Sequence, residues 1–162
     1  VNRGGIYDGV DGFVTKEKKL VINILTADCL GIAAVDVENG VIGAFHAGWK
    51  GSAEKIVQKG VEKMLSLGAK TGNIQVFIAP GIKAPDYEVG EDLKNYFPEK
   101  VFEIHDGKIC LNLESENIRQ LNEMGINKVT SAPFSTFQEE NLFSFRRDAK
   151  NAGRFATFIV MG

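Results

Sequence analysis

Two segments, Leu25-Thr26-Ala27-Asp28-Cys29 and His46-Ala47-Gly48-Trp49-Lys50-Gly51, decide how this chain folds. Each follows an apolar run, at residues 20–25 for the first and 41–45 for the second, and such runs predict β-strands. The two segments hold one of the two cysteines, one of the two histidines and the only tryptophan. Scaffolds commonly place reactive side chains where strands end and loops begin. We therefore expect a thiol and an imidazole to share one pocket at the ends of two neighbouring strands.

The bulk composition places the chain in a broad class. Its 162 residues, with 44% hydrophobic and 25% charged side chains, are typical of one globular domain, 1–162, that can bury a core. A net charge of −2 without a basic run gives no electrostatic footprint for nucleic acid. The chain has neither an apolar stretch of the ~20 residues that span a bilayer nor a signal-peptide pattern, so no membrane partner is expected. Two cysteines do not make a disulfide framework, which favours a reduced, cytoplasmic protein.

The order of the predicted elements indicates an α+β fold, because the strands are grouped rather than alternating strictly with helices. The turn Glu38-Asn39-Gly40 predicts a hairpin, and the first four strands are expected to form a meander with Cys29 between the second and the third. Ser52 is predicted to cap a helix that Gly68 ends, because apolar residues between them recur at helical spacing. Strands are predicted at 12–15, 20–25, 32–37, 41–45, 74–79, 102–104, 108–111, 128–131, 142–145 and 155–161, and further helices at 91–96 and 114–124.

Three interpretations of Cys29 and His46 stay open from the residue types alone. Both can be core residues, since cysteine is among the most buried types. As a nucleophile and a base they fit acyl-transfer chemistry, with Asp28 or another carboxylate orienting the imidazole. As metal ligands, a thiolate and an imidazole suit zinc, and a catalytic zinc normally takes three protein ligands. The candidates for a third ligand are Asp28, His105, Cys110 and a nearby carboxylate, although Cys110 fits core packing better.

A dense cationic patch, Arg146-Arg147-Asp148 with Arg154, lies near the end of the sequence. Guanidinium forks suit phosphate or carboxylate. An ion pair with Asp148 at a solvated strand end would explain the same residues without any ligand. Lys50 lies beside the predicted helix start and offers a second anion contact, together with free N–H groups of the helix. These residues are the candidates for binding an anionic substrate.

Four different blocks of sequence follow one another over almost the whole chain. They are Thr26-Ala27-Asp28-Cys29, His46-Ala47-Gly48-Trp49-Lys50-Gly51, Ile78-Ala79-Pro80-Gly81-Ile82 leading to Tyr87-Glu88-Val89, and Phe143-Ser144-Phe145-Arg146-Arg147-Asp148 with Gly153-Arg154. In these blocks the chain resembles the YfiH family, also called the laccase-domain or polyphenol oxidase family. The resemblance implies an α/β sandwich with mixed sheets, a fold also found in the cytotoxic necrotizing factor deamidase toxins.

The same resemblance implies a zinc ion held by two histidines and a cysteine. It also implies purine nucleoside phosphorylase activity on adenosine, inosine and methylthioadenosine, with adenosine deaminase activity. By position, Cys29 matches the family's cysteine ligand and His46 its second histidine ligand, and both are the expected catalytic residues. Lys50, Arg146 and Arg147 match basic positions near the pocket, from which we infer that they bind substrate or phosphate. The implied partners are therefore purine nucleosides and phosphate.

The chain differs from the family pattern ahead of Cys29. The family's first histidine ligand lies further upstream than the 28 residues before Cys29 extend, so no third zinc ligand is identified and the family's N-terminal portion is expected to be absent. Lys50 stands where arginine is usual. Copper is a possible metal, but two histidines cannot ligate the several coppers of a multicopper oxidase. The alternatives are a metal-free Cys–His hydrolase or deamidase, and a degenerate, inactive member.

Overall fold

The computed structural model describes residues 1–162 as nine β-strands and four α-helices, joined by turns and five short 3-10 helices. The strands are β1 (Gly12–Thr15), β2 (Ile22–Thr26), β3 (Leu30–Asp36), β4 (Val41–Ala47), β5 (Gln75–Ile78), β6 (Phe102–His105), β7 (Lys108–Leu111), β8 (Val129–Ser131) and β9 (Phe155–Ile159). The helices are α1 (Trp49–Ala53), α2 (Ile56–Ser66), α3 (Leu113–Glu123) and α4 (Phe145–Asp148).

Five strands form the main sheet in the order β1-β4-β3-β5-β8, and every pair is antiparallel except β5 with β8. β3 and β4 are buried along almost their whole length, as expected for continuous apolar runs that are covered on both faces. Helix α2 packs on one of these faces. A Cβ added at Gly60 would lie 2.3 Å from the Phe45 ring, so the helix reaches the sheet only because residue 60 has no side chain.

β2 and β9 form a separate antiparallel ribbon on the other face of the main sheet. The inward residues Ile22 and Ile24 cluster with Ile42 and Ala44 of β4. The predicted meander is therefore wrong, because β1 pairs with β4 while β2 leaves the main sheet. The physical reason is that β2 alternates buried and exposed residues and has one apolar face to cover, whereas β4 is buried on both faces.

The ribbon makes a close approach to the main sheet at Gly31 of β3. A Cβ added at Gly31 would lie 2.2 Å from Oγ1 of Thr157 on β9, closer than any real side chain can come. Gly31 is also the register partner of His46 on β4. The contact between Gly31 and Thr157 therefore limits the distance between the two sheets next to His46, the predicted reactive histidine.

Two other predicted elements differ from the structure. The helix predicted from Ser52 is divided into α1 and α2 at Lys55, whose φ of 62° is left-handed. Ser52 does not cap it, because its buried hydroxyl accepts a hydrogen bond from Asn117. The strand predicted at 142–145 is absent. Instead α4 begins there, with Ser144 Oγ accepting the hydrogen bond from the backbone N–H of Arg147 that caps a helix.

The predicted α+β class, with mixed parallel and antiparallel sheets, is confirmed. A second hairpin, β6–β7, and α3 lie where the periodicity placed them, and the segment predicted as a helix at 91–96 is the 3-10 helix Glu91–Asn95. The longest helices, α2 and α3, have 11 residues each, and no helix has the length and apolar character needed to cross a membrane.

The buried carboxylate of Asp36 should make stability depend on pH. It accepts hydrogen bonds from the backbone N–H groups of Lys70 (2.7 Å) and Asn39 (3.0 Å) and from the Asn39 side chain (2.8 Å). Burial alone would raise the pKa of Asp36, but these hydrogen bonds outweigh burial and lower it. A lowered folded-state pKa means stabilisation that is complete above the unfolded value, about 4, and is lost as pH falls through the folded value.

We therefore expect Asp36→Asn to lower the free energy of unfolding by about 2 kcal/mol at pH 7. This difference from wild type should shrink as pH falls below about 4, because the unfolded chain takes up its proton at a higher pH than the folded carboxyl does. Urea unfolding at a series of pH values measures it, with Glu38→Gln on the same turn as control. A difference that stays constant down to pH 3 would contradict this account of Asp36.

Candidate active site

Cys29 lies in the tight turn between β2 and β3, and the preceding residue holds that turn in place. Asp28 is 8% exposed and has a φ of 82°, a left-handed conformation that aspartate tolerates better than most residues. Its Oδ1 accepts a hydrogen bond from Thr136 Oγ1 at 2.7 Å, and its Oδ2 accepts one from the backbone N–H of Arg146 at 2.6 Å. The Asp28 carboxylate therefore fastens the Cys29 turn to the start of α4.

His46 is oriented by Asp11, the residue just before β1. Nδ1 of His46 lies 3.1 Å from Oδ1 of Asp11, and the backbone N–H of His46 donates to the Asp11 carbonyl at 2.7 Å. The carboxylate favours the proton on Nδ1 and so leaves Nε2 available. The sequence predicts Asp28 or another carboxylate in this role. Since both oxygens of Asp28 are engaged elsewhere, that other carboxylate is Asp11.

The thiol and the imidazole meet at Gly48, as the two strand ends predict. A Cβ added at Gly48 would lie 2.9 Å from Sγ of Cys29 and 3.7 Å from Nε2 of His46. Both reactive atoms therefore border the same small space beside the Gly48 backbone. Any larger residue at position 48 would press on the thiol, so glycine is required for this close approach.

A cavity of about 400 Å³ opens beside this pair. This volume is within the range of sites for small ligands. Arg146 lies with its guanidinium 5.2 Å from the centre of the Tyr87 ring, and Arg154 lies 5.8 Å from that of Phe145. The residues that line the cavity are Leu25, Thr26, Ala27, Asp28, Cys29, His46, Tyr87, Phe145, Arg146 and Arg154.

The two arginines keep hydrogen-bonding capacity for a ligand. Arg146 donates from Nη1 to the Glu88 carbonyl, and Arg154 donates from Nη1 to the carbonyls of Ala152 and Gly153. Nε and Nη2 of both side chains have no acceptor in the protein, and both residues are exposed at the mouth of the cavity. A planar guanidinium with free N–H groups beside an aromatic face is suited to phosphate.

The electrostatics of the cavity keep its weak acids protonated. Burial raises the pKa of the Cys29 thiol, the Asp28 carboxylate raises it further, and the Arg154 guanidinium opposes both. Burial also raises the pKa of Tyr87 to about 12, with a smaller contribution from Cys29. Cys29 is therefore a neutral thiol at neutral pH, and Tyr87 is a hydrogen-bond donor.

Two of the predicted anion-binding residues lie away from this cavity. Nζ of Lys50 lies 5.5 Å from the centre of the Trp49 ring, and α1, which carries both, has only five residues. The guanidinium of Arg147 donates to the Asp148 carboxylate and to the carbonyls of four loop residues, Thr136, Phe137, Glu139 and Leu142. The structure thus brings Cys29, His46 and Arg146 together, and it places Lys50 and Arg147 outside the cavity.

The donor set near Cys29 is incomplete for a catalytic zinc ion. A thiol and an imidazole whose other nitrogen meets a carboxylate are typical zinc ligands with a typical outer partner. However, no group of three or more His, Cys, Asp or Glu side chains in the chain is arranged to hold a metal ion. His105 is hydrogen-bonded to Glu103 in the β6–β7 hairpin, and Cys110 is buried in the same hairpin. The residues present therefore do not fit zinc by themselves.

Three residues of the site were not singled out as site residues by the sequence. Asp11 belongs to a polar stretch without periodicity, and its pairing with His46 depends on contact between β1 and β4. Tyr87 stood in a resembling block without a role, and Phe145 lay in such a block and in a predicted strand. Position in the blocks was the available signal for these two, whereas nothing local pointed to Asp11. Arg154 was predicted as part of the cationic patch.

The model of the family described as "Multi-copper polyphenol oxidoreductase laccase" matches residues 2–162. A purine nucleoside phosphorylase of Deinococcus radiodurans is 40% identical over 161 residues, which cover 96% of this chain and 62% of that protein. Adenosine deaminase RL5, from an unknown prokaryotic organism, is 34% identical over 163 residues, which cover 94% of this chain and 62% of that protein.

The solved structures agree with the sequences. YlmD of Geobacillus stearothermophilus is 31% identical with a TM-score of 0.86, over 94% of this chain and 61% of that one. YfiH of Bacillus licheniformis is 28% identical with a TM-score of 0.87, over the same shares of the two chains. The chain spans less than two thirds of the length of these relatives. From the family match, the curated relatives and the shared fold, it follows that this chain belongs to the YfiH, or laccase-domain, family.

Proposed function

We propose that this chain carries the active site of a purine nucleoside phosphorylase that acts on adenosine, inosine and methylthioadenosine and also deaminates adenosine. The observation that carries the proposal is one cavity that combines the Cys29–His46 pair with two arginines and two aromatic rings. Relatives named purine nucleoside phosphorylase and adenosine deaminase support this substrate class. Purine and phosphate are the flat and the anionic groups that such a lining accommodates.

For phosphorolysis, Arg146 and Arg154 hold inorganic phosphate at the mouth of the cavity. A phosphate oxygen attacks the anomeric carbon of the ribose, and the bond from that carbon to the purine nitrogen breaks. The electron pair of the broken bond leaves with the purine, which takes up a proton. Positioned donors that meet the developing charge are the main source of catalysis in such a step. His46, held by Asp11 through Nδ1, is placed to move the proton through Nε2.

For deamination, water adds to the ring carbon that bears the amine, and ammonia leaves with a proton. His46 can take the proton from the water on Nε2 and pass it to the leaving amine, because its contact with Asp11 engages Nδ1 and leaves Nε2 free for both transfers. Both reactions therefore use the same imidazole in the same cavity.

The two proposed reactions are written without zinc, and a zinc ion would be an additional component of the site. Cys29 and His46 supply two donors, and the third must come from outside the residues that surround them in this chain. Metal analysis of the purified chain tests this directly. A stoichiometric zinc ion that is lost in Cys29→Ala would support a metal site, whereas nucleoside turnover by metal-free protein would overturn it.

The arginine pair gives the first kinetic test. We expect Arg154→Ala and Arg146→Ala each to raise the KM for phosphate by about tenfold or more, because each removes a charged hydrogen-bond donor from the anion. Lys50→Ala is the matched control and should leave that KM unchanged, since Lys50 lies outside the cavity. Inosine phosphorolysis at varied phosphate measures all three. If Lys50→Ala alone raises KM, the anion site lies at α1 instead.

A metal-free Cys–His hydrolase or deamidase is the second candidate. The observation in its favour is the order Asp11, His46, Cys29, in which a carboxylate orients an imidazole toward a thiol. The raised pKa of Cys29 weighs against it, since a reactive cysteine is normally a thiolate. Iodoacetamide separates the two candidates, because a free nucleophile labels quickly near neutral pH while zinc would protect the thiol. A chain that shows neither zinc nor turnover nor fast labelling would be a degenerate member.

A further inference from the structure

Thr26, the last residue of β2, carries a hydroxyl group that the fold leaves unused. The residue is 2% exposed, and its Oγ1 has no hydrogen-bond partner in the protein. Yet Thr26 lines the cavity beside Cys29. A buried hydroxyl without a partner is destabilising, and valine of nearly the same shape would avoid that cost. The hydroxyl is therefore explained best by a partner that arrives with the substrate.

The neighbouring polar groups do not share this property. Both oxygens of Asp28 are engaged, and the hydroxyl of Thr136 donates to one of them. Thr157 on β9 is also buried and also has an unpartnered hydroxyl, but it packs against Gly31 and does not line the cavity. Among the buried unpartnered side-chain groups, Thr26 is thus the one at the cavity wall, and Thr157 is a natural control.

The placement of charge indicates which part of a nucleoside reaches Thr26. Arg146 and Arg154 are exposed at the mouth, where they would hold phosphate next to the ribose. The flat, largely apolar purine would then lie against the buried part of the lining, to which Thr26 and Ala27 belong. The edge of a purine that lies far from the ribose carries the substituent at position 6, an amine in adenosine and a carbonyl in inosine.

We propose that Oγ1 of Thr26 binds the substituent at position 6 of the purine, an inference that rests on the proposed function. A hydroxyl both donates and accepts a hydrogen bond. It accepts from the amine of adenosine and donates to the carbonyl of inosine, so that one cavity admits 6-amino and 6-oxo purines alike. An amide or a carboxylate fixed at this point would favour one of the two.

The test combines a hydroxyl deletion with a substituent deletion. Steady-state kinetics of phosphorolysis are measured for inosine, adenosine and purine riboside, which carries only hydrogen at position 6. The proteins are wild type, Thr26→Val, Thr26→Ser and Thr157→Val. Thr26→Val should lower kcat/KM about tenfold or more for inosine and adenosine, mostly through KM, and leave purine riboside nearly unchanged. Thr26→Ser keeps the hydroxyl and should keep the wild-type order, and Thr157→Val should match wild type.

Each other outcome is decisive. Equal losses of Thr26→Val on all three nucleosides, or no loss on any of them, would overturn the assignment of Thr26 while leaving the phosphorylase activity in place. A wild-type chain that turns over none of the three nucleosides would overturn the proposed function and this inference with it. Thermal melting shows that the variants fold, and both valine variants should melt no lower than wild type. If Thr26→Val does not fold, Thr26→Ala must show the same dependence on the 6-substituent.

Discussion

Replacing Cys29 with alanine should lower kcat/KM for inosine by about a thousandfold or more, while the protein stays folded. Sγ of Cys29 borders the same space beside Gly48 as Nε2 of His46, so its removal leaves a gap next to the imidazole. His46→Gln should cause a loss of similar size, because glutamine cannot move a proton. If the two residues act as one unit, the double variant should be no worse than either single variant. Phosphorolysis assays on the three variants measure this non-additivity.

The chain contains a matched control for each substitution. Cys110 is 1% exposed in the β6–β7 hairpin, where its only polar contact is 3.9 Å to the Pro85 carbonyl. His105 is hydrogen-bonded to Glu103 at the end of the same hairpin. Cys110→Ala and His105→Gln should therefore keep wild-type kinetics. Loss of activity in these controls, or full activity in Cys29→Ala, would remove the chemistry from the proposed cavity.

The largest expected effect on stability comes from Asp28. Asp28→Ala should lower the free energy of unfolding by about 4 kcal/mol, since it removes two hydrogen bonds to a carboxylate and leaves alanine in a left-handed conformation. That is a large part of the stability of an ordinary domain. It should also lower activity, because Arg146 loses the hydrogen bond that holds its backbone beside Cys29. Urea unfolding and nucleoside assays measure the two effects separately.

Asp28→Gly separates the two causes of the lost stability, the missing hydrogen bonds and the left-handed backbone. Glycine adopts a φ of 82° freely, so the glycine variant should be more stable than the alanine variant by about 1 kcal/mol. The remaining loss then reports the hydrogen bonds to Thr136 and Arg146. If both variants unfold within 1 kcal/mol of wild type, the carboxylate does not hold the turn.

The elements with local signals could be predicted from the sequence. β3 and β4 are apolar runs joined by a turn with glycine at its left-handed position, and α3 repeats its buried residues at helical spacing. The partners of the strands could not be predicted in this way. β2 follows β1 after a short turn, yet it pairs with β9, more than a hundred residues later. No property of β2 itself specifies a partner so distant along the chain.

The candidate site also contains residues that local sequence predicts and residues that depend on distant strand pairing. Cys29 and His46 could be placed together because Cys29 follows β2 and His46 lies near the end of β4. Asp11 and Arg154 reach them only after β1 joins β4 and β9 joins β2. The roles of Arg146 and Arg147 could not be separated, since neighbours in sequence point in different directions here. One faces the cavity, and the other is saturated by carbonyls of the 136–142 loop.

Gly31 has a consequence for anyone who wishes to redesign this protein. It is the register partner of His46, and it packs beneath Thr157, three residues after Arg154. Directed evolution usually begins with the residues that touch the ligand. In this protein, even one methyl group at position 31 would move the strand that follows Arg154 relative to the strand that carries His46. The width of the cavity is therefore adjustable from inside the sandwich, at a residue that does not line it.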